Sequence, residues 1–214
     1  MTHLAKALIW LFVFVVPWEN VVVIQGVGTA AKLLGFLAGG VGLVAVLLRG
    51  RVRHHPFLWA GLLFVAWAWA SLLWSVDQPN TIKRALAYTQ LWFMAWLVYQ
   101  YGGRVFLSNL LVAYVLGAWV SALLTVWAYM QGLEVTHQRY AAKGFDPNDL
   151  SCFLSVAIPM AAYVGFRAKN LAIRALFLAY IPFSLLAVFL TASRTGAVAA
   201  TIALLFVLYY LRSL

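Results

Sequence analysis

The chain has 214 residues, 65% of them hydrophobic and only 9% charged, with 10 Trp and a net charge of +10, and its mean hydropathy is +0.93. That composition excludes an ordinary soluble domain, because apolar runs of roughly 15–25 residues match the length a helix needs to cross a bilayer. The one cysteine, Cys152, rules out an internal disulfide and any cysteine-based metal site, and no soluble basic face exists to carry nucleic acid.

Taken in chain order, eight apolar segments predict eight helices, at about 4–16, 30–48, 57–74, 85–101, 105–130, 148–166, 175–190 and 196–211. The first is short for a span. It can continue through Pro17 to Ile24 as a kinked helix, since proline is tolerated in membrane helices. Strands would need sustained alternation, which is absent. The expectation is an all-α polytopic transmembrane helical bundle of about eight helices, with residues 1–214 forming one membrane domain.

Loop charges set the orientation. With both termini in the cytoplasm, the basic connections 49–56, 102–104 and 167–174 lie inside, and all five acids, Glu19, Asp77, Glu134, Asp146 and Asp149, lie outside. This follows the positive-inside rule. The basic excess is a topology signal that also suits anionic membrane lipid. The inner connections are short, and the outer ones, 18–29, 75–84, 130–147 and 191–195, hold the varied polar residues. Chemistry is therefore expected at the outer face.

Three outer groups stand out. In Gly144-Phe145-Asp146-Pro147-Asn148-Asp149-Leu150, Asp146 suits a helix N-cap, Pro147 the first helical position and Asp149 the third residue after the cap. Asn148 and Asp149 would equally orient a polar ligand or a basic residue, and the two readings are compatible. In Thr191-Ala192-Ser193-Arg194-Thr195-Gly196, Arg194 can snorkel to the interface. Alternatively, with Ser193 and Thr195 beside it and Gly196 allowing close approach, it can bind a phosphate in bidentate fashion. The 130–147 connection brings His137, Arg139 and Lys143 together near Glu134 and Tyr140, and two or three such cations could hold a diphosphate. Near Asp77, either Asn80 or Thr81 is expected to cap the fourth helix. Lys83 and Arg84, and Lys32 at the start of the second helix, could extend a phosphate-binding face. No Walker loop, no metal-ligand spacing and no nucleophile-elbow motif is present. Trp18, Trp59, Trp74, Trp92 and Trp127 fall near segment ends as an interfacial belt.

Three motifs carry a resemblance: Trp74-Ser75-Val76-Asp77-Gln78-Pro79 followed by Thr81 and Arg84; Gly144 to Leu150 with Pro159 after it; and Leu190-Thr191-Ala192-Ser193-Arg194-Thr195-Gly196. Each is weak alone. Together, an Asn-Asp pair opening one helix and Ser-Arg-x-Gly after the next, the chain resembles the O-antigen ligase family of integral membrane proteins. The resemblance implies a bacterial inner-membrane, lipid-carrier-dependent glycosyltransferase of lipopolysaccharide and cell-envelope biosynthesis. Such an enzyme moves a glycan from undecaprenyl diphosphate to lipid A-core or another acceptor at the periplasmic face. It also implies no metal and no cofactor, with arginines on the diphosphate and a histidine of a large periplasmic loop assisting the acceptor. On the matching motif it implies a catalytic role for Arg194. Asn148, Asp149 and the neighbouring Ser193 are expected to shape the substrate site or hold the arginine, Arg139 is a substrate-binding candidate by location only, and Lys83 and Arg84 are substrate-binding candidates by their outer-face charge. His137 does not stand where the family's histidine stands. Family members have about a dozen helices, so the expectation is the N-terminal portion of a longer protein. The lipid tail is expected in a groove near Gly35 to Gly42 and Trp67/Trp69. An O-antigen polymerase, a transporter of an anion or lipid-linked sugar, and a non-catalytic membrane scaffold remain as alternatives.

Overall fold

The computed structural model describes residues 1–24, 28–136 and 138–212. Among them the helices are α1 (Thr2–Val15), α2 (Ala30–Arg49), α3 (Pro56–Ala70), α4 (Gln78–Tyr101), α5 (Arg104–Met130), α6 (Pro147–Arg167), α7 (Leu171–Leu190) and α8 (Arg194–Arg212). The apolar segments become helices because lipid offers no partner for a backbone N–H or C=O, so each segment pairs its own. Six helices are long and apolar enough to cross a membrane: α2, α3 with the 3-10 turn that follows it, α5, α6, α7 and α8. The chain is a multi-pass, all-α membrane protein. Helix α1 is apolar but shorter, and the first turns of α4 are polar.

Several boundaries differ from the sequence reading, three of them at sites with identifiable local contacts. The first helix does not continue to Ile24. It ends at Val15 in a 3-10 turn, Val16–Trp18, and a two-residue antiparallel ladder follows, β1 (Val23–Ile24) with β2 (Gly28–Thr29). Pro17 leaves its carbonyl outside the helical ladder, and the buried Ser121 hydroxyl donates to it. The fourth helix starts at Gln78, capped by Asp77, whose carboxylate accepts from Asn80 N at 3.2 Å. Neither Asn80 nor Thr81 is the cap. Instead, the Thr81 hydroxyl donates to Asp77 O at 2.9 Å. The eighth helix starts at Arg194 itself, two residues before Gly196.

Two compact units form, one from Met1–Ile9 with Gly35–Phe106, the other from Trp10–Leu34 with Leu107–Leu214. In the first, α3 packs on α4, and Trp92 Nε1 donates to Leu58 O at 2.8 Å while Trp69 Nε1 donates to Thr89 Oγ1 at 3.0 Å. Gly39 and Gly42 lie against Phe93 and Leu97 of α4, and Tyr101 OH donates to Gly42 O at 2.7 Å. Beside Gly39 and Gly42 the space is thus taken by α4 side chains, whereas Gly40 has nothing within 4 Å, and Trp69 is tied to Thr89. At one end of this unit Gln100 clasps the α2–α3 connection, accepting from Arg53 N at 2.8 Å and donating to Arg53 O at 2.9 Å.

In the second unit α6 is the central helix, packed by both α7 and α8, which scarcely touch each other. Small residues make this possible: Ser151, Ser155, Ala157, Ala161, Ala162 and Gly165 are all buried on α6. Such residues let helix backbones approach closely in lipid, where packing replaces the hydrophobic driving force. The two buried serines are satisfied within the helix, Ser151 Oγ donating to Asn148 O and Ser155 Oγ to Ser151 O, each at 2.7 Å. Gly196 of α8 sits directly on Ser151, so a Cβ there would collide with the Ser151 side chain.

Gly196→Ala is expected to push α8 off α6 and cost about 1–3 kcal/mol, the usual range for overpacking. Thermal unfolding in detergent reads the loss. Ser151→Gly in the same chain should restore most of it, and a double variant as unstable as the single one would show that the contact is not the cause.

Candidate functional site

The site lies at the end of the second unit where α6 and α8 begin and α7 ends. Asp146 is extended (φ −69°, ψ 133°) and caps α6, its carboxylate accepting from Asn148 N at 2.7 Å, with Pro147 in the first turn. Ser193 performs the same task for α8, Oγ accepting from Gly196 N at 3.0 Å. These caps satisfy donors that a helix start leaves unpaired. The α5–α6 connection is drawn in by Tyr140 N donating to Leu190 O at 3.0 Å, at the C-terminal end of α7. Just before it, a tight turn closes with Arg139 N on Thr136 O and Val135 N on Arg139 O, each at 2.9 Å.

One carboxamide oxygen joins these segments. Asn148 Oδ1 accepts from Arg139 Nη2 at 2.8 Å and from Ser193 Oγ at 2.9 Å. Arg139 Nε also donates to Thr191 O at 3.0 Å. Arg139 therefore braces the α5–α6 connection against the starts of α6 and α8 and the end of α7. All its acceptors are neutral. Asp149 is exposed and takes no hydrogen bond, and among the described residues no ion pair forms at all. Asn148 thus holds an arginine as the sequence suggested, and Asp149 does not.

Arg194 differs from Arg139. It is exposed on the first turn of α8 and makes no hydrogen bond to any other described residue. It stands at the mouth of a groove of about 760 Å³. The groove's walls are apolar, with Leu185, Val188 and Phe189 of α7 facing Ala197, Ala200 and Leu204 of α8. Its mouth is polar, formed by Tyr129, Gln138, Tyr140, Ser193 and Arg194. Gln138 (φ 54°) and Ala192 (φ 48°), the two non-glycine residues with positive φ among those described, both line it. Such conformers cost of order 1–3 kcal/mol each and gather where a local shape is required.

Lys83 and Arg84 are exposed in the first turns of α4, in the first unit, and both help hold the Asp77 carboxyl below its ordinary range, after the larger effect of its Asn80 hydrogen bonds. Lys32 faces Glu19, whose carboxyl is raised by burial and partly returned by the Lys32 charge. Asn20, next to Glu19, lies where a side chain on Gly144 would go, 2.6 Å from Asn20 O, and Gly144 holds φ 81° there. His137 lies outside the described residues. Among the described residues no group of three or more His, Cys, Asp or Glu could hold a metal ion. Sequence reasoning missed Tyr129, Gln138 and the α7–α8 groove. Their only sequence signal was the Ala and Thr spacing on α8, which reads equally well as packing. No family model, no curated protein and no solved structure matches the chain.

Asn148→Ala should cost about 1–3 kcal/mol, the range for a hydrogen bond to a charged donor, because Arg139 Nη2 and Ser193 Oγ both lose their acceptor. Asn148→Asp keeps an acceptor and should retain most of the stability. Equal melting points for the Ala, Asp and wild-type forms would show that the node carries no energy.

The pH dependence of Glu19 has a definite sign. Its folded-state pKa lies above the unfolded value, so folding favours the protonated acid. That stability is full at acid pH and is lost as pH rises from the ordinary 4.5 through the raised value. Glu19→Gln should therefore lose less stability than wild type between pH 4.5 and neutrality, and parallel profiles would contradict the assignment.

Proposed function

We propose that this end of the second unit binds an anionic amphiphile, and that the amphiphile is the donor of a membrane glycosyltransferase similar to the O-antigen ligases. The observation that carries the reading is Arg194, a cation with no hydrogen-bond or ion-pair partner among the described residues, at the polar mouth of an apolar groove. The groove runs along α8 from Arg194 to Leu204, about 15 Å at the helical rise. An isoprenoid or acyl tail suits its walls. A diphosphate suits its mouth, where the Arg194 guanidinium offers a planar bidentate fork. The motifs around Asn148 and Arg194 are the ones that resemble the ligase family.

The chemistry follows from charge. When a glycan leaves undecaprenyl diphosphate for an acceptor hydroxyl, the bond from the anomeric carbon to the phosphate oxygen breaks and negative charge grows on the diphosphate. A cation already in place there stabilises that charge without having to reorganise. Arg194 is the residue for this role. Arg139, Asn148 and Ser193 position it by fixing the start of α8, and through Tyr140 and Leu190 they fix the rim of the groove. The acceptor is lipid A-core or another envelope component, the face is periplasmic and the membrane is the bacterial inner membrane in this reading. The exposed Lys83 and Arg84 of α4 add positive charge to the outer side of the first unit.

Arg194→Ala is expected to lower glycan transfer from an undecaprenyl-diphosphate donor in proteoliposomes about 100-fold, the loss typical of removing one donor to a developing anion. Arg194→Lys should recover part of it. Melting points should not move, since the side chain holds nothing inside the protein. Undiminished transfer by the Ala variant would return Arg194 to an interfacial anchor, and absence of transfer by the wild-type protein would sink the enzyme reading.

A further inference from the structure

Two tyrosines at the groove mouth are left without a task by the donor's tail and diphosphate. Tyr129, in the last turn of α5, is 51% exposed. Tyr140 meets it edge to face, ring centroids 5.0 Å apart at 88°. Both line the same groove as Arg194. Tyr140 is not simply reaching for water, because its hydroxyl donates to Glu134 Oε1 at 3.1 Å, and Glu134 Oε2 accepts from Gln138 N at 3.1 Å. The hydrogen bond to Glu134 raises the Tyr140 phenol above its ordinary range, as expected for a donated proton shared with a carboxylate. The Tyr140 backbone is fixed at the same time to Leu190 O.

We propose that Tyr129, Tyr140 and Glu134 form a carbohydrate subsite that recognises the first sugar of the lipid-linked donor, an inference that rests on the donor reading above. A pyranose presents one apolar face of C–H groups and a rim of hydroxyls. The negative face of an aromatic ring attracts the C–H groups. Carboxylate oxygens accept from the hydroxyls, and such charge-assisted bonds are the stronger kind. Tyr129 offers an exposed ring, Tyr140 sets its angle, and Glu134 places two acceptor oxygens beside them, held by the Tyr140 hydroxyl and the Gln138 amide. Gln138, with φ 54°, lines the same groove and contributes a side-chain amide. The order along the groove is then tail between α7 and α8, diphosphate at Arg194, sugar on the tyrosines. A phospholipid would use the first two parts and leave the third empty, which separates the two kinds of occupant.

The test compares binding of two probes to the whole protein in nanodiscs: undecaprenyl diphosphate, and undecaprenyl diphosphate bearing one N-acetylhexosamine. Wild type should bind the sugar-bearing lipid about tenfold tighter, a difference of about 1.4 kcal/mol. Tyr129→Ala should erase that ratio while keeping its affinity for the bare lipid, which doubles as a check on folding. Should the Ala variant also weaken the bare lipid, Tyr129→Leu decides instead, since it keeps bulk and loses the ring, and Tyr129→Phe should preserve the ratio. A wild-type ratio near one, or a ratio that survives both Tyr129→Ala and Tyr129→Leu, overturns the subsite and leaves the donor reading standing. Failure of wild type to bind either lipid, or an Arg194→Ala variant that binds both as wild type does, brings down the donor reading itself.

Discussion

Asn148 Oδ1 receives the guanidinium of Arg139, nine residues before it, and the hydroxyl of Ser193, 45 residues after it, so three segments converge on that one atom. The convergence depends on local chemistry on each side. Asp146 and Pro147 start α6 where Asn148 falls in the first turn. Ser193 caps α8 with the same oxygen that donates to Asn148, so its hydroxyl accepts from Gly196 N and gives its proton away. Arg139 reaches across from the α5–α6 connection and also engages Thr191 O at the end of α7. Loosening any one of these contacts frees the start of α8 and with it Arg194.

The use of neutral acceptors for Arg139 matters electrostatically. A carboxylate partner would cancel the charge locally, whereas an amide oxygen and a backbone carbonyl hold the side chain and leave its charge in place. Arg194 goes further and has no partner among the described residues. A cation near the edge of a low-dielectric medium is costly unless it faces water or an anion. The groove mouth supplies both the exposure and, in the proposed reading, the anion.

Much of the helical architecture was legible in the sequence because lipid permits so few alternatives. Apolar runs separated by charged turns leave helices as the only spanning solution, and the Asp146-Pro147 start of α6 was readable from cap chemistry alone. The end of α1 was not legible, because Pro17 is compatible with a kinked helix as well as with a stop. The choice was made by a hydroxyl 104 positions away in sequence, Ser121 donating to Pro17 O. The cap of α4 and the start of α8 were misplaced for a related reason. Asp77, Asn80 and Thr81 are all good caps in isolation, and Ser193 became one only once the end of α7 set where α8 could begin. The glycines of α2 looked like room for a lipid, but a glycine marks close approach without naming what approaches. There it was the Phe93 and Leu97 side chains. The polar motifs around Asn148 and Arg194 were visible as motifs, yet nothing in their spacing distinguished the bracing arginine, Arg139, from the free one, Arg194.

The groove itself follows from an imbalance in packing. Small residues on α6 and Gly196 on α8 bring α7 and α8 close to α6, but α7 and α8 carry Leu185, Phe189 and Leu204 where they face each other, and remain apart. A cleft of this kind between two membrane helices fills with an apolar chain by default. What makes it selective is its rim. Gln138 and Ala192 hold left-handed conformers that side chains other than glycine avoid, and both are part of that rim. The energy stored in them is maintained by the surrounding hydrogen bonds, Arg139 N to Thr136 O on one side and Ala192 N to Phe189 O on the other. A rim held in this way presents its cation, hydroxyl and aromatic rings already in place, so a ligand gains the full interaction without first ordering the site.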